Sequence, residues 1–260
     1  MPSTREILEK LISGELSIED AHDALKAASI SELDGIAVLD TNRDERSGVP
    51  EVVLAESKDA DGIVSIARRM VERKGYSIIT RLDGSKVDVL KEELPDFKLY
   101  VEGAGNHLTA VVHEDGWEYP AARGKVGVLT AGTSDIPYAK EAEVVIRAMG
   151  VTPISFYDVG IAGIHRLVEP LQRMVEEKVA AIVVMAGMEG ALPTVIASLV
   201  DAPVIGVPIP TGYGHGGAGE TALAAMLQSC APGLAVVNIG NGVGAGAMAA
   251  LIAKRCNPTK

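Results

Sequence analysis

The chain has 260 residues, of which 47% are hydrophobic and only 3% aromatic, so a core must be built mainly from aliphatic and small side chains. That composition suits parallel strands covered by helices on both faces. The formal net charge of −11 argues against a protein that follows a nucleic-acid backbone or an anionic membrane surface, although backbone N–H groups can still hold a single nucleotide.

Residues 1–30 predict two short helices that form a helical N-terminal arm. Ser3 or Thr4 can cap the first helix, and Ser17 with Asp20 three positions later resembles a capping arrangement for the second.

Residues 31–120 predict a small α/β domain, in which apolar strand patterns alternate with helical ones. The segment from 113 to 124 is interpreted as the linker that leaves this domain. We expect strands at 35–40, 50–57, 76–82, 98–103 and 107–114, and helices at 59–75 and 85–94.

Residues 121–260 predict a second α/β domain with a parallel sheet, because short apolar runs that end in glycine-containing sequence alternate with helix-length segments. Ligands of such sheets bind outside the carboxyl ends of the strands. The loops after the apolar runs are therefore where a functional site is expected. The runs are 126–132, 152–160, 180–187, 202–210 and 234–242.

The loop after the first run places polar side chains before a helix. The positive end of a helix dipole attracts anions, so the hydroxyls of Thr133 and Ser134 are candidates to bind a phosphate or carboxylate. Asp135 either takes part in this site or only caps the helix.

Two further loops carry ionisable side chains. Arg166 is a candidate partner for a phosphate or carboxylate, and His165 either carries a proton or is an ordinary, partly buried histidine. Glu189 stands in a glycine-rich loop with Gly187, Met188 and Gly190. Its carboxylate is a candidate general acid or base, or a charge that complements a helix dipole.

The long segment 208–220 is rich in glycine and is interpreted as a mobile loop that covers the substrate. No second ligand at metal-site spacing accompanies His215, which argues against a zinc site. Asn241 and Gly242 lie in a strand-to-helix loop that either cradles a phosphate or allows a helix to pack closely on the sheet.

Cys230 and Cys256 are the cysteines of the chain, and no secretory signal opens it, which together predict a reducing, cytoplasmic location. From its context alone, Cys230 is either a buried small hydrophobic residue or a nucleophile. The apolar stretch 234–253 is as long as a membrane span, but we interpret it as a strand, a loop and a buried helix.

Charged residues crowd a turn and a strand edge in the first α/β domain. They form either a solvated hairpin or a charged wall that closes the site of the second domain. They are Asp40, Arg43, Arg46, Glu51, Glu56 and Lys58.

The order of these motifs resembles that of the PurE-like (AIR carboxylase-like) carboxylases. AGTSD, GIHRL, AGMEGALP, PVIGVP and IGNGVGAGAMAAL follow one another over residues 125–254. The charged segment from Asp40 to Glu51, the AGMEGAL loop and the SCAPGL segment around Cys230 extend the likeness to the LarB family. Val49 departs from the aromatic residue expected before the proline. The resemblance implies a flavodoxin-like sheet in the C-terminal domain.

The LarB resemblance implies a pyridinium-3,5-biscarboxylic acid mononucleotide synthase. Such an enzyme carboxylates C5 of the pyridinium ring of nicotinic acid adenine dinucleotide and cleaves the phosphoanhydride to release AMP, in the synthesis of the nickel-pincer nucleotide cofactor. The implied nucleophile is Cys230, through a transient cysteinyl-pyridine adduct. Glu189 is implied to remove the C5 proton, with Asp135 as second candidate, and His165 matches a histidine of the mutase relatives.

The resemblance also assigns substrate contacts in both domains. It implies CO₂ or bicarbonate as co-substrate, no tightly bound cofactor, and Mg²⁺ as a divalent metal suited to the phosphoanhydride step, with ligands unknown. The implied assembly is a homo-octamer with active sites between subunits. The implied substrate-binding residues are Thr133, Ser134, Arg166, Gly187, Met188, Gly190, Asn241, Gly242, Asp40, Arg43, Arg46 and Lys58.

Two alternatives remain open at this point. One is an aminoimidazole ribonucleotide carboxylase or mutase, although the mutase relatives need no ring thiol and lack the first α/β domain. The other is a non-catalytic regulator that binds a nucleotide on the same loops.

Overall fold

The computed structural model describes residues 4–33, 37–40 and 43–258. Contacts within the chain define two units. The first comprises residues up to 101 together with 110–117, and the second comprises 102–109 together with 118 onward.

The first unit begins with the predicted helical hairpin, α1 (Thr4–Ile12) and α2 (Ile18–Ser29). Ile7 and Ala21 are buried between the two helices. The backbone N–H of Asp20 donates to Ser17 Oγ at 3.0 Å, which confirms the predicted cap of α2. The predicted cap of α1, Ser3 or Thr4, lies outside the residues whose side chains are described.

Strands β1 (Ile30–Leu33) and β2 (Ala37–Asp40) pair antiparallel, and the short helix α3 (Arg43–Ser47) follows. The sequence predicted neither β1 nor α3: the interval after 40 was interpreted as a turn. The predicted strand at 35–40 lies partly outside the described residues.

The remaining strands of the small α/β region form a four-stranded sheet in the order β3-β4-β6-β5. Helix α4 (Ala60–Lys74) begins where Asp59 Oδ1 accepts from Gly62 N–H, and ends at Gly75, whose φ of 79° favours glycine. The other elements are β3 (Val52–Leu54), β4 (Tyr76–Leu82), α5 (Gly84–Glu93), β5 (Lys98–Ala104) and β6 (His107–His113).

The second unit is built around a five-stranded parallel sheet in the order β11-β10-β9-β7-β8. Its strands are β7 (Lys125–Thr130), β8 (Thr152–Phe156), β9 (Ile182–Ala186), β10 (Val204–Pro208) and β11 (Leu234–Val236). Numbered from β7, this is the flavodoxin-like order 2-1-3-4-5. The predicted fold class is therefore confirmed.

Helices follow the strands in alternation. They are α6 (Ile136–Ala148), α7 (Val168–Glu176), α8 (Leu192–Ala197), α9 (Glu220–Leu227) and α10 (Gly242–Cys256), with 3-10 helices at Thr133–Asp135 and Ile161–Leu167. A Cβ on Gly246 would lie 2.7 Å from the carbonyl oxygen of Ala142, so glycine lets α10 approach α6 closely. Stretch 234–253 is thus a strand, a loop and a largely buried helix, as interpreted.

Within the described residues, no helix combines the length and the apolar character that crossing a bilayer requires.

Candidate active site

A cavity of about 250 Å³ opens at the carboxyl edge of the parallel sheet. The loops after β7 and β9 contribute most of its wall. Strand order reverses between these two strands, and such a switch point leaves a crevice between the loops that leave the sheet in opposite directions. The lining residues are Ala131, Gly132, Ser134, Asp135, Gly160, Ile161, Ala162, Arg166, Ala186, Gly187, Met188, Glu189, Ala191, Leu192 and Thr211.

Asp135 is the buried carboxyl of this cavity, with 2% of its surface exposed. Its Oδ2 accepts from Gly132 N–H at 2.8 Å, and its Oδ1 accepts from the hydroxyls of Ser134 and Thr211, each at 3.4 Å. Burial raises the pKa of Asp135, although these donors act in the opposite direction.

The predicted capping role of Asp135 is found at the short 3-10 helix Thr133–Asp135 rather than at α6, because its carboxylate accepts from the N–H of Gly132, the N-cap residue of that helix. Asp135 precedes α6 at the N-cap position, but its carboxylate makes no capping bond to α6. It reaches back to Gly132 at the end of β7 instead. Burial thus favours the protonated form of this carboxyl, and its place in the cavity wall makes it a candidate to exchange a proton with a ligand.

Glu189 reaches the cavity on a tight turn after β9, and its side chain is exposed. Gly190 has a φ of +64°, and a Cβ there would lie 2.7 Å from the carbonyl oxygen of Ala222, so the turn requires glycine. Met188 also has a positive φ, 53°. Because α8 begins at Leu192, Glu189 lies before the first turn of that helix rather than in it.

Arg166 lines the cavity from the 3-10 helix after β8. Its Nη1 donates to the carbonyl oxygen of Asp158 at 2.7 Å and to Asp158 Oδ2 at 3.0 Å, and its Nη2 donates to the carbonyl oxygen of Gly160 at 3.4 Å. The neighbouring His165 is exposed and lies outside the cavity lining.

The structure brings six of the predicted site residues to one cavity. They are Ser134, Asp135, Arg166, Gly187, Met188 and Glu189. Thr133 is exposed and, like His165, lies outside the lining.

Asn241 and Gly242 make contacts at the start of α10 instead. Asn241 Oδ1 accepts from Gly244 N–H at 2.8 Å and caps the helix. A Cβ on Gly242 would lie 2.6 Å from the carbonyl oxygen of Tyr138, so this glycine permits close packing. The packing partner is helix α6, not the sheet that the sequence suggested.

Cys230 is exposed, so the alternative of a buried small hydrophobic residue is wrong. The residue lies between α9 and β11, in a connection that enters the sheet at the amino ends of its strands. The cavity lies at the carboxyl ends. Within one chain, Cys230 and the cavity therefore belong to opposite edges of the parallel sheet. Cys256, the last residue of α10, is also exposed.

The charged segment of the first unit pairs within itself. Arg46 pairs with Asp40, and Arg43 Nη1 lies 3.1 Å from Glu51 Oε2. Glu56 pairs at 3.1 Å with Arg81, while the side chain of Lys58 is exposed. Arg43 and Arg46 lie on helix α3 rather than on the predicted turn.

Sequence reasoning missed two polar residues that shape the cavity wall. Thr211 bonds Asp135 from the loop after β10, and Asp158 holds Arg166 from the loop after β8. Thr211 directly follows the predicted run 202–210 and Asp158 lies near the end of the predicted run 152–160, which is the signal that could have found them.

Two family models match successive parts of the chain. A family model described as AIR carboxylase matches residues 125–259, and a model described as LarB/PurE-like N-terminal domain matches residues 30–106. An uncharacterized protein of Methanocaldococcus jannaschii is 46% identical over 96% of each chain.

Two curated mutases are similar to about half of the chain. The N5-carboxyaminoimidazole ribonucleotide mutase of Thermotoga maritima is 31% identical over 135 residues, which cover 49% of this chain and 74% of the mutase. The mutase of Aquifex aeolicus is 34% identical over 131 residues, 49% of this chain and 75% of the mutase.

Proposed function

The chain belongs to the AIR carboxylase family, in its LarB branch, and on this premise we propose that it carboxylates C5 of the pyridinium ring of nicotinic acid adenine dinucleotide and hydrolyses the phosphoanhydride. The products would be pyridinium-3,5-biscarboxylic acid mononucleotide, a precursor of the nickel-pincer nucleotide cofactor, and AMP. The observation that carries the proposal is the LarB-type N-terminal match over residues 30–106, because the mutases of Thermotoga maritima and Aquifex aeolicus align with only about half of the chain.

The proposed chemistry begins with a thiolate because a pyridinium ring is electron-poor and its C5 does not attack CO₂. Addition of the Cys230 thiolate to the ring forms a C–S bond and leaves a neutral dihydropyridine, whose enamine makes C5 nucleophilic. C5 then bonds to CO₂. Loss of the C5 proton to a base and departure of the thiolate restore the aromatic ring.

Two carboxyl groups in different environments suit the proton transfers of this sequence. The exposed Glu189 is the proposed base that takes the C5 proton. Asp135, whose pKa burial raises, is the proposed second candidate for that base. Arg166 is proposed to hold a carboxylate or phosphate of the substrate, beside Ser134 and the backbone of Gly187, Met188 and Gly190, with the neighbouring His165 orienting the same group.

The position of Cys230 adds a requirement to the proposal. Because Cys230 and the cavity lie at opposite edges of the sheet in one chain, a second copy must bring its Cys230 to this cavity. We therefore propose a homo-oligomer, an octamer in the family pattern, with active sites between subunits. An assembly would cover apolar side chains that are exposed in one chain. They lie on the 3-10 helix before α7 and on α7 itself, and include Ile164, Val168 and Val175.

The remaining substrate contacts are proposed for the adenylate and pyrophosphate portion. Arg43, Arg46 and Lys58, with Asp40 as the partner of Arg46, supply the charges in the first unit. Thr133, Asn241 and Gly242 are proposed to lie near the nucleotide. A reducing cytoplasm would keep the Cys230 thiol free.

A divalent metal does not fit a preformed protein site here. Among residues 4–33, 37–40 and 43–258, no three His, Cys, Asp or Glu side chains group in a way that could hold a metal ion. Mg²⁺, which binds mainly substrate phosphates and water in many enzymes, would be carried by the substrate's phosphates. CO₂ or bicarbonate is the proposed co-substrate.

The deciding experiment is a product analysis. The purified protein is incubated with nicotinic acid adenine dinucleotide, ¹³C-bicarbonate and Mg²⁺, and the products are identified by mass spectrometry. We expect a labelled dicarboxylated mononucleotide and AMP in equal amounts, lost in Cys230→Ser and kept in the matched variant Cys256→Ser. Absence of both products from the wild-type protein would overturn the proposal.

A second candidate, supported by the similarity of residues 125–259 to the mutases, is carboxylation of aminoimidazole ribonucleotide or rearrangement of its N5-carboxy form. It predicts turnover of those substrates that survives Cys230→Ser, in the same assay.

A further inference from the structure

Arg166 is held in place by a residue that the proposed reaction does not use. Its Nη1 makes two bonds to Asp158, one to the carbonyl oxygen at 2.7 Å and one to the carboxylate at 3.0 Å. Asp158 lies outside the cavity lining, whereas Arg166 lies within it. The ion pair is half-exposed, so its energy is modest, but its geometry limits the guanidinium to one orientation.

Asp158 is itself fixed to the central part of the sheet. Its N–H donates at 3.1 Å to Oγ1 of Thr130, the fully buried last residue of β7, and the next N–H, of Val159, donates to the carbonyl oxygen of Thr130 at 2.9 Å. The connection from Thr130 through Asp158 to Arg166 therefore joins a rigid strand to the cavity wall.

The backbone of Asp158 adopts a conformation that most side chains avoid. Its φ is +58°, in the left-handed region, where a residue other than glycine costs free energy. Asp and Asn tolerate this region better than other non-glycine residues. Such strain is retained where the surrounding structure compensates for it, and here the compensation includes the two bonds to Arg166.

We infer that Asp158 is a positioning residue that sets the orientation of Arg166 for binding an anionic group of the substrate. The inference rests on the proposed function for the identity of that anion, a carboxylate or phosphate. Nη1 makes both of its bonds to Asp158, whereas Nη2 makes one, to Gly160, and Nε takes part in none of the three. Gly163 is part of this arrangement, since a Cβ there would lie 2.7 Å from Arg166 Nε.

The first test measures how accessible the Arg166 guanidinium is, without any substrate. Arginine-specific modification by phenylglyoxal is followed at Arg166 by peptide mass spectrometry in wild type, Asp158→Ala and Asp158→Asn. Loss of the ion pair should speed modification at least about threefold in Asp158→Ala, with an intermediate rate in Asp158→Asn, which keeps an oxygen acceptor. Arg173, which lies on α7 and pairs with Glu177, is the internal reference and should react at one rate in all three proteins.

The second test asks whether Asp158 acts through Arg166. Asp158→Ala should raise the KM of nicotinic acid adenine dinucleotide about threefold to tenfold and change kcat less than about twofold. In an Arg166→Ala background it should raise KM no further, because nothing is left to position. If Asp158 had a merely structural role, Asp158→Ala would still raise KM in the Arg166→Ala background. If Asp158 competed with the anion, Asp158→Ala alone would lower KM. Either result overturns the inference.

The two tests separate the possible failures. If the dinucleotide is not turned over, the proposed function fails, yet the modification rate still decides whether Asp158 positions Arg166. An unchanged rate at Arg166 in Asp158→Ala overturns the positioning role whatever the enzyme does with the dinucleotide.

Discussion

Thr211 donates a hydrogen bond across 76 residues of chain to the buried carboxylate of Asp135, with 3.4 Å between Thr211 Oγ1 and Asp135 Oδ1. The bond ties the loop after β10 to the loop after β7. It also opposes the effect of burial, which raises the pKa of Asp135.

Replacing Thr211 with the near-isosteric valine should therefore raise the pKa of Asp135 further. If Asp135 acts as the base, the limb of the kcat/KM profile that falls at low pH moves upward by about 0.3 to 1 pH unit, the size expected from one long neutral hydrogen bond. Ser198→Ala is the control, since the exposed Ser198 hydroxyl donates to the carbonyl oxygen of Val195 outside the cavity lining and its loss should leave the profile in place. A downward shift in Thr211→Val would contradict the assignment.

Asp135→Asn should stabilise the protein at neutral and alkaline pH. The pKa of Asp135 is higher in the folded chain than in the unfolded one, so the folded state favours the protonated form. The corresponding stability is fully present below the unfolded pKa and is lost as pH rises through the folded pKa. Asparagine resembles the protonated form, and we expect a gain of about 0.5 to 2 kcal/mol at pH 8, with loss of activity.

Urea unfolding of both proteins at pH 8 and pH 4 would measure this effect. The gain of Asp135→Asn should shrink at the lower pH. A variant that is less stable than wild type at pH 8 would show that the ionised carboxylate is favoured in the fold.

Sequence reasoning located Asp135, Glu189 and Arg166 because each follows an apolar strand, and all strands of a parallel sheet end at one edge. The partners Thr211 and Asp158 escaped because a pairing between loops depends on strand order and backbone conformation, neither of which is local. The sequence did not predict the exposure of Cys230 either, since its neighbours Ala231 and Pro232 are apolar. Strand β1 and helix α3 are too short and too charged for periodicity to detect.

Burial of acidic residues on α6 was also missed, for a physical reason. Glu143 is 2% exposed and is balanced by Lys140 on the same helix and by the hydroxyl of Tyr157 after β8. Lys140 Nζ donates to that same hydroxyl at 2.8 Å. The helix pattern alone would place these charged side chains in water.

Tyr157→Phe tests this buried network. Removing the hydroxyl takes one donor from the Glu143 carboxylate and one acceptor from Lys140, and should lower the free energy of unfolding by about 1 to 3 kcal/mol. Tyr213→Phe, at a side chain that is 83% exposed, is the control and should change it by less than about 0.5 kcal/mol. Equal values for the two variants in urea unfolding would show that the Tyr157 hydroxyl contributes nothing to stability.

Gly246→Ala tests the close contact of α10 with α6. The new methyl group would lie 2.7 Å from the carbonyl oxygen of Ala142, a backbone atom that moves only with its helix. We expect a loss of about 1 to 3 kcal/mol in unfolding free energy. Gly84→Ala in α5 is the matched control because the space around it is open, and it should be neutral or slightly stabilising.

Mixing two inactive variants tests whether Cys230 of one copy serves the cavity of another. Cys230→Ser keeps an intact cavity, and Asp135→Asn keeps the thiol. Unfolded together and refolded as a random mixture, they should recover about one quarter of wild-type activity, because about one site in four would combine an intact cavity with an intact cysteine. Each variant refolded alone should stay inactive. If cysteine and cavity of one chain formed the site, the mixture would stay inactive as well, and the proposed arrangement between subunits would be wrong.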